Sequence, residues 1–129
     1  MTTKIDANLQ RAADATVQTV MDNIKGAVAV VISTEDGFEV SARTENTAQV
    51  ARLSAMASSL AALGAIAGEE SNLGACDSLV IEARDGHIVM LQARRADVSL
   101  ILSVVTRRDA IMGQTLYYAR QAARVLEQA

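Results

Sequence analysis

Residues 53–68 read LSAMASSLAALGAIAG, sixteen consecutive positions without a formal charge. Read as a helix, this segment limits the fold more than any other part of the chain. A helix that covers one core face carries charged or amide groups on its back. This one has no such back, so both of its faces need cover. Leu53, Met56, Leu60, Leu63 and Ala67 fall on one side at a/d spacing and suit a sheet. Ser54, Ser58, Ala61, Ala62, Ala65 and Gly68 fall opposite, with Gly64 beside them. Gly64 with Gly68, and Ala61 with Ala65, form small-xxx-small pairs, a spacing that lets two helix backbones approach closely. The pattern therefore assigns the large residues to the sheet and the small strip to a partner helix. The simplest partner is the same helix of a second subunit across a two-fold axis. The alternative is cover by the chain's own helices.

The flanking segments say what the sheet is made of. Ile5, Leu9, Ala13, Thr16/Val17, Val20 and Ile24 recur at three and four, which predicts a first helix over about 4–25 with Gly26 as its left-handed cap. AVAVVIS (27–33) is β-branched and apolar on both parities, the mark of a strand covered on both faces. Asp36-Gly37 marks a hairpin turn, and FEVSAR (38–43) returns as a second strand. The long helix is expected over about 45–72, capped by Thr44 or Asn46 and closed by Gly74. A meander follows: CDSLVIEAR (76–84), a turn at Asp85-Gly86, HIVMLQAR (87–94) and a third strand over 96–105. The last helix spans about 109–128, with Met112, Leu116, Ala119, Ala123 and Leu126 as its stripe and Gly113 placed for close approach to a strand. The order α-β-β-α-β-β-β-α predicts an α+β fold, a five-stranded antiparallel sheet with helices on both faces. We read it as one domain, residues 1–129, with its core over about 8–128.

Chemistry is sparse. Cys76 and His87 are the only Cys and His. They sit at opposite ends of one hairpin, about 25–30 Å apart, so they form no dyad; His87 is expected to be a solvated turn residue and Cys76 a small buried or edge-strand residue. A lone cysteine excludes an intramolecular disulfide and fits a reducing, cytoplasmic setting. No metal-ligand spacing, phosphate-binding loop or dinucleotide fingerprint occurs, so no catalytic, cofactor-binding or metal-binding residue is assigned. A net charge of −3 and two separated arginine pairs, Arg94-Arg95 and Arg107-Arg108, give no nucleic-acid footprint. The uncharged stretch is shorter than the ~20 mostly apolar residues of a membrane span, so no integral membrane segment is expected.

The ordered set GAVAVVISTEDGFEVSAR, ARLSAMASSLAALGAIAGEE, SLVIEARDGHIVMLQA and RDAIMGQTLYYARQAARVL resembles the Roadblock/dynein-light-chain family over about residues 8–128. The resemblance implies a profilin-like sheet and a homodimer formed through the second helix and the third strand, which places Cys76, Ser78 and Val80 at the seam beside the small strip. It also implies a Ras-like small GTPase as partner. Bacterial members of the family resemble regulators of such GTPases, including those that control motility and polarity, and eukaryotic relatives are dynein light chains or scaffolds. The family carries no shared catalytic residue, so the protein is expected not to be an enzyme itself, although it would act on a partner's nucleotide cycle or location. Partner contacts are expected at Arg43, Glu45, Gln49, Arg52, Glu69 and Glu70. The other readings are a scaffold with a non-GTPase partner and, since profilin-like sheets also serve as sensory domains, a small-molecule sensor.

Overall fold

The computed structural model describes residues 5–129, so the expected helix start at position 4 lies outside the described residues. The Asp6 carboxylate accepts the Leu9 N–H at 2.7 Å and starts helix α1 (Ala7–Asn23). This N-cap satisfies one of the amide donors that a helix start leaves free. Leu9, Ala13, Thr16, Val17 and Val20 are buried along α1, as their spacing predicts, and Gly26 takes the expected left-handed conformation. The strands are β1 (Ala27–Thr34), β2 (Glu39–Thr44), β3 (Ser78–Ala83), β4 (Gly86–Arg94) and β5 (Ser99–Arg107). They form one antiparallel sheet in the order β2-β1-β5-β4-β3. Helix α2 (Ala48–Glu70) carries the chain from one edge strand to the other, and α3 (Met112–Gln128) closes it.

The apolar-on-both-parities reading of β1 has a direct cause. Val30 and Ile32 join Val89, Leu91, Leu100, Leu102 and Val104 under α1 and α3, where they meet Leu9, Val20, Ala119 and Leu126. Val31 points the other way and joins Met90 and Ile101 under Val50, Leu53 and Ala57 of α2. Two cores thus share one sheet, and the α+β order of elements is the predicted one. At 23 residues, α2 is long and apolar enough to cross a membrane by length and composition. The length argument made from residues 53–68 therefore does not apply to the whole helix. In the fold it packs on the sheet through Val50, Leu53, Ser54 and Ala57.

Four local expectations change. The second hairpin turns at Arg84 and Asp85, because Ala83 already pairs with Gly86. Gly86 belongs to β4 and its φ is not positive; a Cβ there would lie 1.9 Å from the Thr106 carbonyl oxygen. The glycine is needed for strand contact and not for turning. Helix α2 starts three residues late. The Asn46 side chain accepts the Ala48 N–H at 3.1 Å, and Thr47, the residue at the cap position, makes no side-chain cap bond. Its end is closed by Asn72 in the left-handed conformation, not by Gly74: Leu73 N–H bonds Gly68 O at 2.8 Å and Asn72 N–H bonds Glu69 O at 3.1 Å. That pair of bonds is the Schellman pattern. Gly113 makes no close approach, since a Cβ there meets nothing within 4 Å.

Gly113 therefore carries only the entropic cost of glycine in a helix. Replacing it with Ala is expected to raise the unfolding free energy by about 0.5–1 kcal/mol. Denaturant unfolding checks this, with a raised midpoint at unchanged slope.

Candidate functional site

Helix α2 is the surface element on which the sequence concentrates its apolar residues, and its faces differ from expectation at Met56 and Leu63. Val50, Leu53, Ser54 and Ala57 are buried, and Leu60 and Ala61 pack beside them against the sheet. The small residues are small because the protein's own backbone comes close. At the N-terminal half, the β1–β2 hairpin lies on the helix. A Cβ at Gly37 would touch Ala55 and Ser58, and the Ser58 hydroxyl donates to the Glu35 carbonyl. At the C-terminal half the returning chain crosses the helix. A Cβ at Gly64 would stand 3.0 Å from the Cys76 sulfur, and one at Gly68 would stand 2.3 Å from the Gly74 carbonyl oxygen. Ser54, Ser58, Ala61, Gly64 and Gly68 thus have neighbours within their own subunit; of the expected strip Ser54 is buried, Ser58, Ala61, Gly64, Ala65 and Gly68 are half-buried, and Ala62 is exposed. Small side chains permit close approach of any backbone, and spacing alone does not say whose.

Of the large residues assigned to the sheet, Leu53 and Leu60 pack there, whereas Met56 and Leu63 are left outside. Met56, Leu63 and Ile66 are 52%, 60% and 55% exposed. They fall on one line with Arg52, Ser59 and Glu70, all six exposed. The spacing of that line, four-three-four-three-four, is that of a coiled-coil seam. The line is also self-complementary when reversed about position 61. Arg52 then stands opposite Glu70, Met56 opposite Ile66 and Ser59 opposite Leu63. Sequence reasoning missed this seam because it gave Met56 and Leu63 to the core; the 52-to-70 charge symmetry was the available signal. Arg52 and Glu70, about 27 Å apart along one helix, cannot pair within a subunit.

The two sheet edges differ. At β2 the Gln10 side-chain amide donates to the Val40 carbonyl at 2.8 Å, and the Ser41 hydroxyl donates to Asp14 at 2.6 Å. At β3 the only side-chain bond to a strand carbonyl, among the described residues, is from the Cys76 thiol to Ser78 at 3.3 Å. Cys76 and Ser78 are half-buried there, and Val80 is 39% exposed.

The remaining expected contacts are not gathered into one site. Arg43 and Glu45 lie at the far end of β2 with Arg107, Gln49 is in the first turn of α2, and Glu69 is beside Glu70 at its end. Cys76 and His87 sit at opposite ends of the β3–β4 hairpin, since Ser78 pairs with Leu91 and Glu82 with His87. His87 is not solvated: it is 6% exposed, with its ring 3.4 Å from the Thr115 hydroxyl in the first turn of α3. The turn at 84–85 places it inside β4 on the core face. Among the described residues no group of three His, Cys, Asp or Glu side chains is disposed to hold a metal ion.

No family model and no curated protein matches the sequence. The structure does match solved ones. A Roadblock/LC7 domain from Streptomyces avermitilis superposes with a TM-score of 0.81 at 19% identity, over 89% of this chain and 94% of that one. Myxococcus xanthus MglB superposes with 0.83 at 11% identity, over 97% and 91%. The gliding protein MglB from Thermus thermophilus gives 0.83 at 12% identity, over 96% and 92%. The chain has the Roadblock/LC7 fold.

The close contacts at α2 predict an order of sensitivity. Gly68→Ala forces a methyl into a backbone carbonyl that cannot swing aside, and is expected to cost about 1–3 kcal/mol. Gly64→Ala meets only the end of the Cys76 side chain and costs less. Thermal unfolding checks the order; a partner-facing Gly68 would instead leave the monomer's stability unchanged.

Proposed function

We propose that this Roadblock/LC7-fold protein is a cytoplasmic, homodimeric regulator that binds a Ras-like small GTPase and modulates its nucleotide cycle or location, without supplying a catalytic side chain. One observation carries the reading: the exposed, self-complementary line on α2. An apolar stripe of this kind on a soluble surface marks an interaction site. Its reversal symmetry selects an antiparallel copy of the same helix, as a two-fold dimer requires. Met56 then packs on Ile66 of the partner subunit, and Arg52 reaches Glu70 of the partner subunit at both ends of the seam. The bare β3 edge with Val80 lies at the other margin of the same interface. The GTPase is supported by the family resemblance and by the fold shared with a gliding protein, in line with family members that control motility. The surface offered to it is the outward side of the paired helices, flanked by Gln49, Arg52 and Glu69. A single GTPase seated across the two-fold axis would block its equivalent site.

The dimer is tested by charge exchange. Exposed ion pairs are each worth ~0.2–1 kcal/mol, and each reversal creates two like-charge contacts per dimer. Arg52→Glu or Glu70→Arg alone is expected to weaken dimerisation about five- to thirtyfold, and the double variant to restore it, read by sedimentation equilibrium. A monomeric wild type would remove the dimer; a dimer indifferent to all three variants would keep it and discard the register.

The GTPase is tested by affinity capture from native cytosol in the presence of GDP or a GTP analogue, followed by titration with the captured GTPase. Two chains per GTPase and unequal affinity for the two nucleotide states are expected, since a ligand shifts a switch only through differential affinity. Arg43→Ala, outside the seam, is expected to change any stimulation of hydrolysis by less than about tenfold, whereas loss of an arginine finger costs ~10³ or more. Equal affinity for both states would reduce the protein to a scaffold.

A further inference from the structure

Between the middle of α2 and the start of β3 the chain is thinly attached to the sheet. The Ser58 hydroxyl on the Glu35 carbonyl ties the first half of α2 to the β1–β2 hairpin. From there to Asp77 no residue is buried, whereas α3 keeps Thr115, Ala119, Ala122, Ala123 and Leu126 buried along its length. Leu60 and Ala61 are the residues of this stretch that pack on the second core. Otherwise the stretch is knit to itself. The Leu73 N–H bonds Gly68 O, the Gly74 carbonyl lies against Gly68, and the Cys76 sulfur lies against Gly64. A narrow cavity of about 20 Å³ separates it from the sheet, lined by Ala61 and Cys76 of the stretch and by Leu79, Met90 and Ile101 of the strands. Among the described residues the buried hydroxyls without a hydrogen-bond partner are those of Ser33, Ser54 and Ser103. All three belong to the α2 layer: Ser54 is on the buried face of α2, Ser33 stands opposite Ile101 and Ser103 opposite Met90. A buried hydroxyl left unpaired opposes the packing that buries it.

We propose that residues 59–77 form a flap that lifts off the sheet as one unit while the rest of the fold stays closed. Its hinges are Ser58-Ser59, small polar residues of the kind at which helices bend, and Asp77, just before β3. Opening gives up the packing of Leu60 and Ala61 on the sheet. The contacts of Gly64 with Cys76 and of Gly68 with Gly74 lie inside the flap and survive. Opening also brings water to Ser103, beside Met90 at the cavity wall. A unit with so few buried apolar contacts opens at a lower free energy than the whole molecule. The exposed line on α2 crosses the hinge: Met56 is on the fixed half, Leu63 and Ile66 are on the flap. A partner seated along that line binds the closed form better and shifts the flap toward it. The flap rests on the packing within one chain and not on the dimer or the GTPase.

The test is native-state hydrogen exchange of the full chain, followed by NMR at low urea and at two protein concentrations. Amides of residues 62–68 are expected to exchange at least about tenfold faster than those of residues 119–126 in α3, and with a weaker urea dependence, because a partial opening exposes less surface. Ser103→Ala removes an unpaired hydroxyl from the closed form and is expected to slow exchange of residues 62–68 about fivefold or more. Val17→Ala weakens the other core and is expected to speed exchange in α1 and α3 while leaving residues 62–68 unchanged. Slower exchange of residues 62–68 at the higher concentration measures closure by a second copy; the dilute sample decides the flap itself, so a monomeric protein leaves the test intact. Exchange of residues 62–68 at the rate and urea dependence of β1 and β5, equal acceleration by Val17→Ala, or an unchanged rate in Ser103→Ala would overturn the proposal. If Val17→Ala loses its folded spectrum, Ser103→Ala decides.

Discussion

The pairing of β1 with β5 holds this molecule together. It runs from Ala27↔Thr106 to Thr34↔Leu100 and joins an N-terminal hairpin to a C-terminal meander that otherwise share no strand contact. Every residue on it is separated from its mate by at least half of the chain, so its closure costs more loop entropy than that of either hairpin. Val30, Ile32, Leu102 and Val104 along it are at or near zero exposure, and they seat α1 and α3. On the reverse face Val31 and Ile101 seat α2. Loss of this one ladder would unmake both cores together, which is the structural basis for one cooperative unit.

What the sequence made legible follows from period and parity. Alternation located the strands, the three-four recurrence located α1 and α3, and the apolar character of both parities of β1 placed it inside the sheet. Turn chemistry was legible where glycine supplies a positive φ, as at Gly37 (+97°). It misled at Gly86, where the same Asp-Gly signature serves close approach to Thr106. His87 shares the face of Val89 and Leu91 along β4, and Thr115 of α3 covers it. The allocation of the α2 faces was illegible for a different reason. The helix is apolar or small all round, so amphipathicity gives no orientation, and the residues that fix it, Gly37, Gly74 and Cys76, are distant in sequence.

The opening puzzle, an uncharged helix with two faces to hide, resolves into an asymmetry of size. The face built from Ser, Ala and Gly lies under a hairpin and a return loop that need room. The face built from Met, Leu and Ile is bounded by Arg52 at one end and by Glu69 and Glu70 at the other. Close approach within the subunit and the proposed association between subunits make different demands on side-chain volume, and α2 offers a separate side for each. The fold was recognisable from the order of elements although no family model matches, because the pattern of layers outlasts the residues that fill them.

The unequal edges of the sheet bear on how far assembly can go. A sheet bare at both ends is a template that copies itself without limit, since each added molecule offers a fresh edge. Here Gln10 occupies a carbonyl of β2 from the flank, and α1 lies alongside through Asp14 and Ser41. Joining at β3 would consume the one bare edge and leave a β2 at both extremities. In the proposed dimer the fold would thus carry a stop as well as a start, and a change at Gln10 that bared the Val40 carbonyl would weaken that stop.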